Sequence, residues 1–553
     1  MSVHAAVDAL VVGAGPVGLT MAAELARHGV RCRIVDRSAV ASDKSKALVL
    51  WPRSLELLDR AGAVEPLLAA GLRVVRARIF GDGQPLAQLS LDGLASPYPF
   101  ALMIPQNETE RLLAAHLAGL GGVVERGVEL LDFGADADGV SVRLRRPDGL
   151  PESVRATWLI GCDGAHSTVR HGLGIDFAGV AEPNDWILAD VHLDGDLPAD
   201  ELRIYWHAQG ILAVFPIARG RFRVVADSGP AAAMDKVRDP TLTEVQAVVD
   251  ARGPGGLTVR DPLWLAGFRI NERKVTEYRV GRVFLAGDAA HIHSPAGGQG
   301  MNTGMQDAFN LAWKLGLVRA GRGREAILLD SYSRERSAVG DEVLRNAGAV
   351  TRVATLHSPT AQHLRNALLP VLASFGFVRA RARDTLAELA VHYRRGPLSH
   401  DERPLAPRAR ALASGGVVAG DRAPDVSVLD GRTGARTQLF RLLHGTRHCL
   451  LLCTGDTSGE ELRRSLERIA AAVRTTYTDL IDIYVVAPAG PAGGAAPETP
   501  LLVDVGGEVR RSYAAHVPIG VLIRPDGYVG YYGQPADRDR LLAYLASYLV
   551  PTG

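Results

Sequence analysis

The sequence predicts an α/β chain in three parts. A doubly wound, Rossmann-type dinucleotide-binding domain carries an inserted antiparallel-sheet domain, and a separate α/β domain follows. Three observations carry this reading. Gly13-Ala14-Gly15-Pro16-Val17-Gly18 sits between an apolar run and a helical pattern near the N-terminus. Short alternating runs replace that pattern between Trp186 and Phe268. Three prolines crowd residues 397–407, and beyond them strand and helix patterns alternate anew.

Residues 9–12 form a short apolar run ending at glycine, the signature of a buried parallel strand. Residues 17–28 have helical spacing, with Gly29 as a stop, and 31–35 read as the next strand, closed by Asp36. This is a βαβ unit. Gly13 permits the tight turn, Gly15 lets the backbone approach a pyrophosphate, and Gly18 lets helix and strand pack closely. The helix N-terminus then faces the phosphates. Asp36 stands where an acid meets a ribose hydroxyl. The motif alone fits NAD and FAD equally.

Residues 54–68 and 108–120 read as amphipathic helices. Residues 140–145 and 153–160 flank Pro147-Asp148-Gly149, a hairpin turn signal. Then comes Gly161-Cys162-Asp163-Gly164-Ala165-His166-Ser167-Thr168-Val169-Arg170, with Ser167 as an N-cap. Asp163 reads either as a turn former or as a cofactor contact. Runs at 187–193, 202–206, 212–217 and 221–226 predict an antiparallel sheet with one covered face. Residues 283–286 return to a buried strand, and a long helix follows over 303–318. Asp288 sits past that strand end, where a carboxylate can accept hydrogen bonds from a polyol. Pro295, Gly297, Gly298, Gln299, Gly300, Met301 and Asn302 lead into the helix, whose free N–H groups can stabilise an anion. Residues 330–393 are mostly helical and 397–416 read as a linker. Residues 490–500 form a low-complexity loop of Ala, Gly and Pro.

Composition limits the function classes. The chain has 553 residues, 47 % hydrophobic and 22 % charged, which excludes wholesale disorder and collagen-like or coiled-coil architecture. At about 150 residues per domain that is three to four domains. Its 62 basic and 61 acidic residues leave +1, so no global field draws nucleic acid or anionic lipid. Asp8 and several glycines and prolines break the apolar N-terminus, which argues against a signal peptide. No window supports a membrane span. Four cysteines make no disulfide framework. Cys449 and Cys453, on one expected strand, would lie roughly 13 Å apart. The chain reads as cytoplasmic. A metal at His291 and His293 would need a third ligand, and no metal is expected.

In this order, the motifs resemble class A flavoprotein monooxygenases of the para-hydroxybenzoate hydroxylase type, over residues 5–395. The C-terminal part narrows the resemblance to FAD-dependent aromatic polyketide hydroxylases and phenol hydroxylases, which add a thioredoxin-like domain. The resemblance implies an FAD-binding domain over 1–175 and 280–345, with a substrate domain over 176–279 to which 71–105 contribute. It further implies a helical segment over 346–396, the linker, and a thioredoxin-like domain over 417–553. That domain lacks CxxC, since Thr454-Gly455-Asp456 occupy the redox loop, and Pro518 stands where thioredoxins have a cis-proline.

The resemblance also assigns residues. Gly13, Gly15, Pro16, Gly18, Asp36 and Arg37 would hold the ADP part of FAD. Gln106, Asp163, Gly164, Lys46 and possible partners Arg170 and Arg111 would contact the cofactor, although Arg111 reads equally as a surface charge. Asp288 would bind the ribityl chain. Pro295 would lie near the reactive flavin carbon, with Gly298, Gly300, Met301 and Asn302 along the pyrimidine edge. Arg53 is a catalytic candidate, and Trp206, Phe215, Arg223 and Phe268 are substrate candidates. Lys46 stands where several relatives carry Arg, and Asp36 where many carry Glu. No counterparts of the phenol-ionising tyrosines stand out. The implied reaction uses NADPH or NADH to reduce FAD. O2 then gives a flavin hydroperoxide that hydroxylates an aromatic small molecule. The alternative is Baeyer–Villiger insertion beside a polyketide ketone; a non-catalytic flavin scaffold is the rival of another class. A homodimer is left open.

Overall fold

The computed structural model describes residues 7–230, 237–295, 297–356, 358–413, 416–456, 459–489 and 498–552. Residues 490–497 of the expected low-complexity loop lie outside them. Strand Val7–Val12 runs between Cys32–Asp36 and Pro151–Gly161, parallel to both. Val283–Leu285 extends the parallel sheet beyond Pro151–Gly161. Both faces are covered, which is why these strands read as unbroken apolar runs. Helix Pro16–Arg27 starts with proline in its first turn, where the missing N–H costs nothing. The helix expected over 54–68 is two helices, Pro52–Ala61 and Val64–Ala70, because Gly62 adopts φ 77° between them.

The second sheet has eight strands. Ala178–Asp194 pairs antiparallel with Arg221–Pro230 and Thr258–Lys274. Arg76–Gly81 joins the same sheet parallel to Glu201–His207, and Gln84–Ser90 closes that edge. The sheet is therefore not wholly antiparallel. One face packs Ile187, Ala189, Leu212 and Val224 against Val245 and Val249 of helix Leu242–Arg252, an element the sequence reading did not anticipate. The opposite face packs against helices Glu325–Ala354, Pro359–Ser374 and Gly376–Leu386.

A third sheet forms the C-terminal domain. His448–Cys453 is buried throughout, parallel to Ile481–Pro488 and antiparallel to Ile519–Ile523. The stretch 397–416 is more than linker. His400–Asp401 pairs with Tyr531 and Tyr532 of this sheet, and Leu405–Ala413 is helical. The cis peptide bond is Gln534–Pro535, not the bond before Pro518. Among the described residues no helix is long and apolar enough to cross a membrane.

Candidate active site

The glycine-rich turn closes at two positions and opens at one. A Cβ on Gly13 would come within 2.4 Å of the Cys162 carbonyl oxygen, and one on Gly18 within 1.8 Å of the Gly13 oxygen. A Cβ on Gly15 would meet nothing within 4 Å. So the first glycine lets the Cys162-Asp163 loop approach and the third serves strand–helix packing, while the second faces open space at the helix N-terminus. The Asp36 carboxylate accepts from the Ala14 N–H at 2.7 Å and the Ser38 N–H at 2.8 Å. It pins the turn from the neighbouring strand's end.

Two more loops share this wall. Asp163 accepts from the Ser167 hydroxyl at 2.5 Å and the Thr168 N–H at 2.7 Å. Ser167 caps helix Thr168–Gly172, as expected. Arg170 is buried and donates to the carbonyls of Ala165 at 2.7 Å and Ala289 at 3.1 Å. It thereby staples the Asp163-Gly164 loop to the Gly287-Asp288 loop. The Asp288 side chain is exposed and takes no hydrogen bond from the protein among the described residues. Desolvation by the neighbouring protein raises its carboxyl above the ordinary range, while His291 and Lys46 pull the other way. An accessible, unpartnered carboxylate and an open glycine fit a polyol–phosphate ligand such as FAD.

The glycine-rich entry is tied down from behind. The Pro295 carbonyl accepts from Gly298 N–H at 2.8 Å. The Asn302 amide donates to the carbonyls of Val49 at 2.8 Å and Gly298 at 3.0 Å, and its oxygen accepts from Trp51 N–H at 2.9 Å. The Trp51 indole donates to Gly297 O at 2.8 Å. Helix Gly300–Arg319 has no side-chain cap, so its first N–H groups and dipole stay available to an anion. Met301 packs on the first domain's core, and Gly300 faces His293.

Sequence reasoning missed the charged groups beneath this helix. Asp307, wholly buried, accepts from Gly287 N–H and the His291 ring at 2.9 Å each, and from Arg336 Nε at 2.6 Å. Arg336 also donates to Thr303 O and the Tyr393 hydroxyl, both at 2.9 Å. Glu388, buried, accepts from the Thr303 hydroxyl at 3.0 Å and the Gln306 amide at 2.6 Å. The available signal was polar residues (Thr303, Gln306, Asp307, Asn310) set in an otherwise apolar helix.

The other assigned residues divide. Gln106 begins helix Gln106–Gly119 and accepts from Ala47 N–H at 2.9 Å. Arg37 and Lys46 are exposed. Arg111 is exposed and forked on Glu108 at 2.6 and 2.8 Å, as a surface helix charge would be. Arg53 does not reach the site. It is buried against the C-terminal domain, donating to Glu56 at 3.1 Å and the Asp526 carbonyl at 2.8 Å. Arg223 is also committed to protein. It forks on Asp190 at 2.7 and 2.8 Å and holds the Ser45 and Lys46 carbonyls, so it positions that loop rather than a substrate. Trp206, Phe215 and Phe268 share the sheet face opposite helix Leu242–Arg252. Trp206 and Phe268 cluster with Trp186, and Phe215 with Trp51 and Val49. The Arg365 guanidinium lies 4.3 Å above the Trp206 ring. No group of three His, Cys, Asp or Glu that could hold a metal occurs among the described residues.

An open glycine at one helix start, an accessible unpartnered carboxylate and an uncapped second helix end fit a flavin. Fold and site thus define an FAD-dependent oxidoreductase. The family described as "FAD binding domain" matches residues 6–347, and "Aromatic-ring hydroxylase, C-terminal" matches 417–550. A 6-methylpretetramide 4-monooxygenase of Streptomyces rimosus is 38 % identical over 562 residues, covering 98 % of this chain and 94 % of that protein. The solved anhydrotetracycline hydroxylase from Streptomyces rimosus has TM-score 0.77 and 30 % identity, covering 99 % of this chain and all of that one. An aklavinone-11 hydroxylase solved with FAD and aklavinone has TM-score 0.73 and 25 % identity, covering 99 % of each chain. The chain belongs to the FAD-dependent aromatic-ring monooxygenases, and its co-substrates are NAD(P)H and O2.

Proposed function

We propose that this enzyme hydroxylates a polycyclic phenol of the aromatic polyketide class. The observation that carries the substrate class is the shared apolar cluster of Phe215, Trp51 and Val49. It joins the aromatic face of the second sheet to the glycine-rich loop, beside the Arg223–Asp190 pair, so a flat, extended substrate can lie along both. The relatives named above act on multi-ring molecules. Bound FAD supplies the redox chemistry, taking a hydride from NAD(P)H and activating O2.

The chain's residues do the holding. Gly13, Gly15, Pro16, Gly18 and Asp36 would seat the ADP part. Arg37, Lys46 and Gln106 lie on the bordering segments, and Asp163 and Gly164 form the adjoining loop. Asp288 would take the ribityl hydroxyls. The N–H groups of Gly300, Met301 and Asn302 would stabilise negative charge on the ring's pyrimidine edge. Pro295 and Gly298 shape the loop between ring and substrate. The apolar walls exclude water. No tyrosine is needed to carry a proton from the phenol in this reading.

Four cysteines without a disulfide support a reducing, cytoplasmic setting. Exposed Leu364, Leu368, Val371, Leu372 and Phe377 support a homodimer, which sedentation by analytical ultracentrifugation would test. The test of function is NADPH and NADH consumption with polycyclic and monocyclic phenols, products read by mass. A polycyclic product heavier by one oxygen atom, with the ring system intact, is expected. A ring-expanded lactone, or turnover of monocyclic phenols only, would overturn the reading.

A further inference from the structure

The C-terminal domain meets the flavin-binding domain at several places, among them Arg422 on Glu56, His448 against Trp313, and one wholly buried turn. That turn joins strands Ile519–Ile523 and Val529–Gly533, and every residue from 521 to 530 is buried. Three helices of the first domain form its socket. Asp526 O accepts from Arg53 of helix Pro52–Ala61 at 2.8 Å. The Asp526 carboxylate accepts from Asn310 of helix Gly300–Arg319 at 3.3 Å. Arg524 forks on Glu335 of helix Glu325–Ala354 at 2.6 and 2.9 Å. Lys314 donates to the same Glu335 at 2.9 Å. Arg524, Glu335 and Lys314 have no exposed side-chain surface. Arg524 and Lys314 thus face Glu335 and Asp526, and Arg53 faces Glu56, inside the contact.

Buried ion pairs add little stability over apolar groups of the same shape, but they tolerate few arrangements. This turn therefore fixes geometry more than it adds strength. From it a line of contacts runs to the cofactor walls. The Tyr528 ring lies 4.3 Å from that of Tyr393. The Tyr393 hydroxyl accepts from Arg336 at 2.9 Å. Arg336 donates to Thr303 O, in the first turn of helix Gly300–Arg319, and to Asp307. Asp307 holds the Gly287 N–H of the Gly-Asp loop at 2.9 Å.

We propose that Tyr528 is a positioning residue for the flavin site, acting through Tyr393 and Arg336, so that the C-terminal domain sets cofactor geometry in the other domain. It is the ring that acts, because the Tyr528 hydroxyl is buried without a hydrogen-bond partner.

The full-length enzyme is titrated with FAD by flavin fluorescence, and peroxide release is compared with product formed. Tyr528→Ala should weaken FAD binding about tenfold and raise the share of NAD(P)H lost as peroxide. Tyr528→Phe keeps the ring and should match wild type. Val509→Ala lies in the same domain's own core cluster, beside Cys453 and Asp456 at the end of the sheet remote from the turn. It should lower the melting temperature and leave FAD affinity and peroxide release unchanged, which separates positioning from mere stability. Wild-type affinity in Tyr528→Ala, or an equal loss in Val509→Ala, overturns the proposal. Should Tyr528→Ala fail to fold, Tyr393→Phe carries the test. It removes only the acceptor of Arg336, and unchanged FAD affinity there overturns the proposal as well.

Discussion

Replacing Gly15 by alanine separates what the glycine-rich turn does for the fold from what it does for FAD. Gly15 has φ −76° and ψ −176°, an extended conformation any residue adopts, and a Cβ there meets nothing within 4 Å. Alanine restricts the unfolded chain, so the FAD-free protein should gain about 0.4–1 kcal/mol. The methyl group would stand where the backbone approaches the pyrophosphate. Two charge-assisted hydrogen bonds lost there, at about 1.5–3 kcal/mol each, cost about 3–6 kcal/mol. That is a loss of FAD affinity of at least about 100-fold. Gly18→Ala should do the reverse. Its Cβ would fall 1.8 Å from the Gly13 oxygen, so strand and helix must part and the FAD-free protein must lose stability. The assays are thermal unfolding of FAD-stripped protein and FAD titration of the same samples. A Gly15→Ala variant that binds FAD as tightly as wild type would refute the placement of the pyrophosphate on this turn.

Burial raises the Glu388 carboxyl to about 8, against the opposing pull of Thr303, Arg336, Gln306 and Arg53. Because it ionises less readily in the folded state, its contribution to stability falls as pH rises from roughly 4 through that value. Glu388→Gln cannot ionise, so its melting temperature relative to wild type should rise between about pH 5 and about pH 8; a pH-independent difference contradicts this. Asp307→Asn leaves Arg336 buried without its anion and should cost about 3–5 kcal/mol, measured by denaturant unfolding. A change below about 1 kcal/mol would mean that the network relaxes around it. Arg111→Ala should leave both FAD affinity and stability near wild type, since its exposed pair with Glu108 is worth about 0.3–0.5 kcal/mol. A large loss of FAD affinity would restore Arg111 as a phosphate partner.

What was legible from sequence was local. The Gly13–Gly18 turn, the Asp36 strand end, the Ser167 cap and the helix entry after Pro295 each depend on residues a few positions apart. Backbone sterics and capping chemistry decide them before tertiary packing does. The aromatic face was half legible. Alternation placed Trp206, Phe215 and Phe268 on strands, but only the position of helix Leu242–Arg252 decides which face is free. Arg53 and Arg223 were misread for one reason. An arginine with several donors is recruited wherever carbonyls and carboxylates converge, and here the partners come from residues 473 and 33 positions away. No spacing rule reaches that far.

The C-terminal domain shows why absent thiols were an incomplete guide. Along strand His448–Cys453, Cys453 pairs with Ile519 and Cys449 with Ile523. The loop where a thioredoxin keeps its dithiol therefore lies at one end of the sheet, and the 524–528 turn at the other. At the first end Asp456 pairs with Arg510 at 3.0 Å, both half exposed. At the second, Arg524 and Glu335 are sealed against the helix that enters the flavin site. The domain is docked by the end remote from thiol chemistry, so a CxxC restored at residues 453–456 would be held away from the flavin whatever its potential. Losing the motif cost this arrangement nothing, whereas losing the charge balance of the turn would leave buried ions unpaired.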